Sequence, residues 1–60
     1  MKFYYLTVSK YDKEIRFTLE TSNSELITNE WLDYRIHIEI DKYVFNILYE
    51  LLYLGDKENE

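Results

Sequence analysis

Sixty residues carrying a net charge of −5, with one His, no Cys and no Pro, allow one small domain and exclude disulfides. With a single His and no Cys, a structural zinc site is excluded in practice as well. A domain this small buries only about 60% of the surface its unfolded chain exposes, so oligomerisation or complex formation is the support that remains. The charge is uneven. Residues 1–19 carry Lys2, Lys10, Lys13 and Arg16 against Asp12 and Glu14, a balance of +2. Residues 20–60 carry Arg35, Lys42 and Lys57 against ten acids, a balance of −7. Affinity for phosphate comes from cations, so direct binding to nucleic acid is disfavoured. A protein partner with a basic surface is favoured.

The N-terminal run breaks at Thr7 and Ser9, too early for the apolar core of a signal peptide. No apolar run approaches the roughly 18 residues of a membrane span. The expectation is a cytoplasmic protein without membrane association.

Residues 2–9 read as a strand. Tyr4, Leu6 and Val8 lie on one face, and Phe3, Tyr5 and Thr7 on the other. Both faces are apolar or aromatic, so the strand is expected to be central or covered on both sides. Ser9 to Lys13 is a hairpin loop, with Lys10, Tyr11 and Asp12 at its tip. Residues 14–21 alternate as a half-buried strand. Ile15, Phe17 and Leu19 face inward, and Glu14, Arg16, Thr18 and Glu20 face water. Thr21 to Glu25 is a loop, and Ser22-x-x-Glu25 has the spacing of a helix capping box. Leu26 to Asp33 admits a short strand at Leu26–Thr28 or a helical turn at Asn29–Leu32, with Trp31 and Leu32 anchoring it to the core. Residues 34–40 are the strongest strand pattern. Tyr34, Ile36, Ile38 and Ile40 face inward, and Arg35, His37 and Glu39 face out.

Asp41 is the natural N-cap of a helix, and Gly55 stands where a helix C-terminus needs positive φ. The tail from Asp56 to Glu60 is expected to fray. At about 100° per residue, Val44, Leu48 and Leu51 centre the apolar face. Ile47, Leu54 and Tyr43 flank it on one side, and Leu52 and Phe45 on the other. The apolar arc spans about 200°, roughly twice what one sheet covers. The residues expected to remain uncovered, and so to form an interface, are Phe45, Leu52 and Tyr49, with Tyr53 beside them. Tyr11 joins them as an interface residue at the hairpin tip, because Tyr offers large area with few rotors.

No catalytic motif, phosphate loop, calcium-loop spacing or cofactor signature is present. His37 has no nucleophile or acid arranged around it in sequence and reads as a solvent-facing residue paired with a carboxylate. The protein is therefore read as non-enzymatic, with neither cofactor nor metal. The acids Glu20, Glu25, Glu30, Asp33 and Glu39 fall in one stretch opposed only by Arg35. They are the candidate partner-binding residues, spaced so that they could present a row of negative charge like a nucleic-acid backbone.

The layout of the whole chain, the acidic stretch Glu20–Asp41 and the apolar helix Val44–Leu54 together resemble small inhibitors encoded by bacteriophages. Anti-CRISPR proteins and phage inhibitors of uracil-DNA glycosylase are such classes. The resemblance implies a protein that occupies the nucleic-acid site or an assembly surface of a host enzyme, in the host cytoplasm. The expected fold is α+β, a mostly antiparallel three-stranded sheet with one C-terminal helix packed on it in β-β-β-α order, within a single domain of residues 1–55. The expected function is inhibition or modulation of a larger nucleic-acid-processing protein through acidic and aromatic surfaces. The alternative is a structural homodimerisation module or small regulatory subunit, in which self-association occupies Phe45, Tyr49 and Leu52.

Overall fold

Alternation at period two produces strands, and the computed structural model, which describes residues 1–54, contains three: β1 (Phe3–Tyr11), β2 (Glu14–Ser22) and β3 (Arg35–Ile40). They form one antiparallel sheet in the order β2-β1-β3, followed by helix α1 (Lys42–Tyr49). The architecture is α+β with β-β-β-α order, as the pattern predicts, and β1 is central. Gly55 and the acidic tail lie outside the described residues.

Register assigns the two faces. Leu6 pairs with Leu19 and Ile38, and Val8 with Phe17 and Ile36. Directly paired residues share a face, so one face is mainly apolar, with Ile15, Phe17 and Leu19 on β2, Tyr4, Leu6 and Val8 on β1, and the three isoleucines of β3. It is bounded by Thr21 beside Tyr4 at one end and Lys10 beside Ile15 at the other. The other face carries Tyr5 and Thr7 between polar residues of β2 and β3.

The burial pattern inverts the expected one. The fully buried side chains are Tyr5 and Thr7, on the polar face. No residue of the apolar face is buried to that degree, and Ile15 and Phe17 stay more than half exposed. The segment joining β2 to β3 is responsible, because it runs over the polar face rather than the apolar one. Its Leu26 N–H donates to the Tyr5 hydroxyl at 2.9 Å. Thr28 then bridges His37 at the outer edge of β3, where Asn29 N–H donates to the His37 carbonyl. That edge is thus occupied, while β2 forms the other edge of the sheet.

Ser22 and Glu25 do not make a capping box. The Ser22 hydroxyl accepts from Ser24 N–H and donates to the Ser24 carbonyl, a local turn that closes β2. Trp31 and Leu32 are exposed rather than anchored in a core.

Asp41 caps α1 as expected. Its backbone is extended, and its carboxylate accepts from Tyr43 N–H at 3.0 Å. The helix meets the sheet at β1 and β2 through Phe45, whose ring centre lies 5.0 Å from that of Tyr4. From Phe45 an aromatic ladder continues at helical spacing through Tyr49 and Tyr53, with centroids 6.3 and 4.9 Å apart. Glu50–Leu54 widens into a π-helical turn, and every residue of it is exposed.

The sheet-facing side of α1 therefore runs through Phe45 and Leu48. Phe45, expected to be uncovered, is half-buried. Val44 and Leu51, expected to be core, are exposed together with Ile47 and Leu54. The molecule is a slab, 13 Å across its thinnest direction and 34 to 36 Å in the others. The helix gives the apolar face only a partial cover, since Ile15 and Phe17 stay exposed.

Candidate partner-binding site

A cluster of exposed aromatic and charged side chains gathers at the end of the sheet remote from the helix. Two turns build it. The β1–β2 hairpin closes at Asp12-Lys13 between the paired residues Tyr11 and Glu14, with Asp12 at φ 56°. Tyr11 is thus the last residue of β1 rather than the tip of a longer loop. The second turn precedes β3. Leu32 and Arg35 exchange both backbone hydrogen bonds, at 2.7 and 2.9 Å. Between them Asp33 and Tyr34 have φ of 52° and 63°. This is a two-residue turn of type I′, normally built from Asn and Gly.

Tyr34 was expected to face the core as the first residue of the strand. Positive φ places it in the turn instead, 74% exposed. Its carbonyl accepts from Lys10 N–H at 2.9 Å, which fastens the turn to the end of β1. Lys10, Trp31, Asp33 and Tyr34 line an open cleft of about 580 Å3. Lys10 and Tyr34 also border a second depression with Tyr11 and Asp12. The site is thus three exposed aromatic rings, with carboxylates of Asp12 and Asp33 beside them and one lysine among them. Trp and Tyr are the side chains that most often dominate protein–protein contacts, and they do so with little loss of rotor entropy.

The acidic residues are distributed as follows. Glu20 and Glu39 both pair with Tyr5, from opposite sides, so they flank it on the polar face about 10 Å apart. Two rows further along, beyond Thr7 with Thr18 and His37, Arg16 and Arg35 flank Ser9 on the same face. The polar face therefore carries a negative row and a positive row with the Thr7 row between them. Arg16 also reaches Glu14 at 3.1 Å in an exposed pair, which contributes little to stability. Glu25, Glu30 and Asp33 are exposed along the crossing segment. Of the five acids, Asp33 joins the aromatic cluster.

The helix residues Phe45, Tyr49, Leu52 and Tyr53 stand apart from this site, near the Tyr4 end of the sheet. Tyr49, Leu52 and Tyr53 are exposed. Tyr43, expected to be core, is 77% exposed.

His37 is half-buried rather than turned to solvent. Its Nδ1 lies 3.1 Å from the Thr7 hydroxyl and 3.7 Å from a Glu20 carboxylate oxygen. The Tyr5 ring sits edge-on to it at 5.9 Å. The carboxylate partner was legible as a possibility in the sequence, and the threonine was not. A relay from carboxylate through imidazole to hydroxyl uses both ring nitrogens. Here both partners converge on Nδ1, and Thr7 is buried. The cluster joins all three strands and has no geometry for activating a nucleophile. Among the described residues no group of three or more His, Cys, Asp or Glu could hold a metal ion. No helix among them is long and apolar enough to cross a membrane.

No protein-family model, no curated protein and no solved structure matches this chain.

Proposed function

We propose that the protein is a non-enzymatic binding protein that inhibits or modulates a larger protein through its aromatic and acidic end. The observation that carries the reading is the Tyr11–Trp31–Tyr34 cluster. Its rings are held in water by two tight turns with positive φ, although apolar area elsewhere in the chain is scarce cover. Backbone conformations that cost energy persist where the surrounding structure enforces them, and they concentrate at binding sites. Asp12 and Asp33 place negative charge beside the rings, which suits a basic partner surface and speeds encounter with it.

A nucleic-acid-processing enzyme has such a surface, and the resemblance to small phage inhibitors supports that class of target. The proposal rests on the cluster at the turns rather than on one uninterrupted row of acids, because Arg16 and Arg35 interrupt the row on the sheet.

Affinity capture from a host lysate tests it, with wild type beside a Trp31→Ala/Tyr34→Ala double variant. Wild type is expected to retain a specific protein that the double variant loses and that elutes as salt is raised. If both baits recover the same proteins, the cluster is not the binding site and the reading fails.

A further inference from the structure

The aromatic end leaves a second surface unexplained. The apolar sheet face is open in the half that holds Ile15 and Phe17, at 59% and 55% exposure. The helix, which ought to lie over it, crosses the Tyr4 end instead. The flank of the helix turned away from the sheet then exposes an apolar stripe, Val44 and Ile47 on α1, continued by Leu51 and Leu54 in the π-helical turn. The chain therefore contains a sheet face without a helix and a helix face without a sheet. They cannot satisfy each other within one copy, because Asp41 alone separates β3 from α1 and is fixed as the helix cap.

We infer that a second copy of this chain covers the open sheet face. The helix stripe of each protomer lies on Ile15 and Phe17 of the other. Such an arrangement is isologous, since one two-fold axis makes the same helix-on-sheet contact twice and then closes. The area is of the right size. At roughly 200 Å2 for a large side chain, the exposed fractions of Ile15, Phe17, Val44, Ile47, Leu51 and Leu54 leave on the order of 650 Å2 in water. The half-exposed residues around them bring this toward the ~800 Å2 that each partner gives to a standard interface.

Charge is consistent with this occupant. The register puts every strand acid, Glu14, Glu20 and Glu39, on the other face and leaves Lys10, beside Ile15, as the strand charge on this one, while the helix stripe carries no charge. Two copies of net charge −5 can therefore meet here without opposing carboxylates. A basic protein would find no acid to pair with and would meet Lys10.

Sedimentation velocity gives the mass in solution, and wild type is expected to run as two chains. Phe17→Glu and Leu51→Glu each place a carboxylate in the contact twice, by symmetry. Each is expected to weaken self-association on the order of 100-fold or more. Strand and helix signals should persist in circular dichroism, because both side chains already stand in water in the single protomer. Mixing Phe17→Lys chains with Leu51→Glu chains should restore the two-chain species, since only helix-on-sheet contact opposes the new charges.

If the variants unfold, a wild-type sample mixing labelled and unlabelled chains decides the matter. Nuclear Overhauser contacts between the Phe17 ring of one copy and the Leu51 methyls of the other are expected. A single-chain mass for wild type overturns the inference, as does a dimer without those contacts. The Trp31→Ala/Tyr34→Ala protein should keep the two-chain mass, so loss of dimerisation and loss of target binding are read separately.

Discussion

Tyr34 holds a backbone conformation in which Cβ crowds the following carbonyl, at a cost of roughly 1–2 kcal/mol that glycine avoids. Its ring buries little, so nothing in the protomer repays that cost. Tyr34→Gly should therefore stabilise the fold by about 1 kcal/mol, a rise of about 4–8 °C in Tm for a domain of this size, while weakening capture of the target. A lower Tm, or undiminished capture, would contradict the role given to this residue. Tyr5 shows the opposite balance. It is fully buried, and its hydroxyl is the acceptor for Leu26 N–H. Phenylalanine would keep the packing but leave that N–H without its partner, at about 1–3 kcal/mol. Tyr5→Phe should lower the denaturation midpoint and speed hydrogen exchange at Leu26. Unchanged exchange there would mean that the crossing segment is held by other contacts.

At the level of elements, α1 depends on its first turn. It is eight residues long with no fully buried side chain, and helices this short do not persist on propensity alone. Removing the cap by Asp41→Ala should cost about 1 kcal/mol and reduce the helical signal, most visibly at low protein concentration. An unaltered signal would assign the helix's stability to packing only.

The three strands and this cap were legible because alternation and an Asp before an apolar run are local signals. The covered face was not legible. Alternation defines two faces but cannot say which one the β2–β3 segment will cross, and the crossing hangs on Leu26 and Tyr5, far apart in sequence. The side of the helix turned to the sheet was hidden for a similar reason. The wheel gives the width of the apolar arc, while Phe45 meeting Tyr4 decides its direction, and the π-helical turn shifts the positions after Tyr49. The I′ turn lacks the Asn-Gly that usually marks it, so alternation alone extends the strand through Tyr34 and hides the most exposed ring of the cluster. Tyr11 and Asp33 are visible without the fold, as a turn-proximal tyrosine and a loop acid.

For the molecule as a whole, thinness is the governing property. A slab 13 Å thick has little interior, and most of its apolar area must be covered from outside. If a second copy supplies that cover, association stabilises the folded chain by mass action and Tm rises with protein concentration. A Tm that stays constant across a wide dilution series would argue for a self-sufficient single chain. The sheet edges carry a separate consequence. Uncontrolled strand addition needs a unit that can grow in both directions. Here Thr28 and Asn29 block the margin of β3 at His37, and among the described residues the margin of β2 is left as the site for another strand. In a polymer chemist's terms the bridge is a chain stopper: it interrupts one of the two edges through which the sheet could add like molecules.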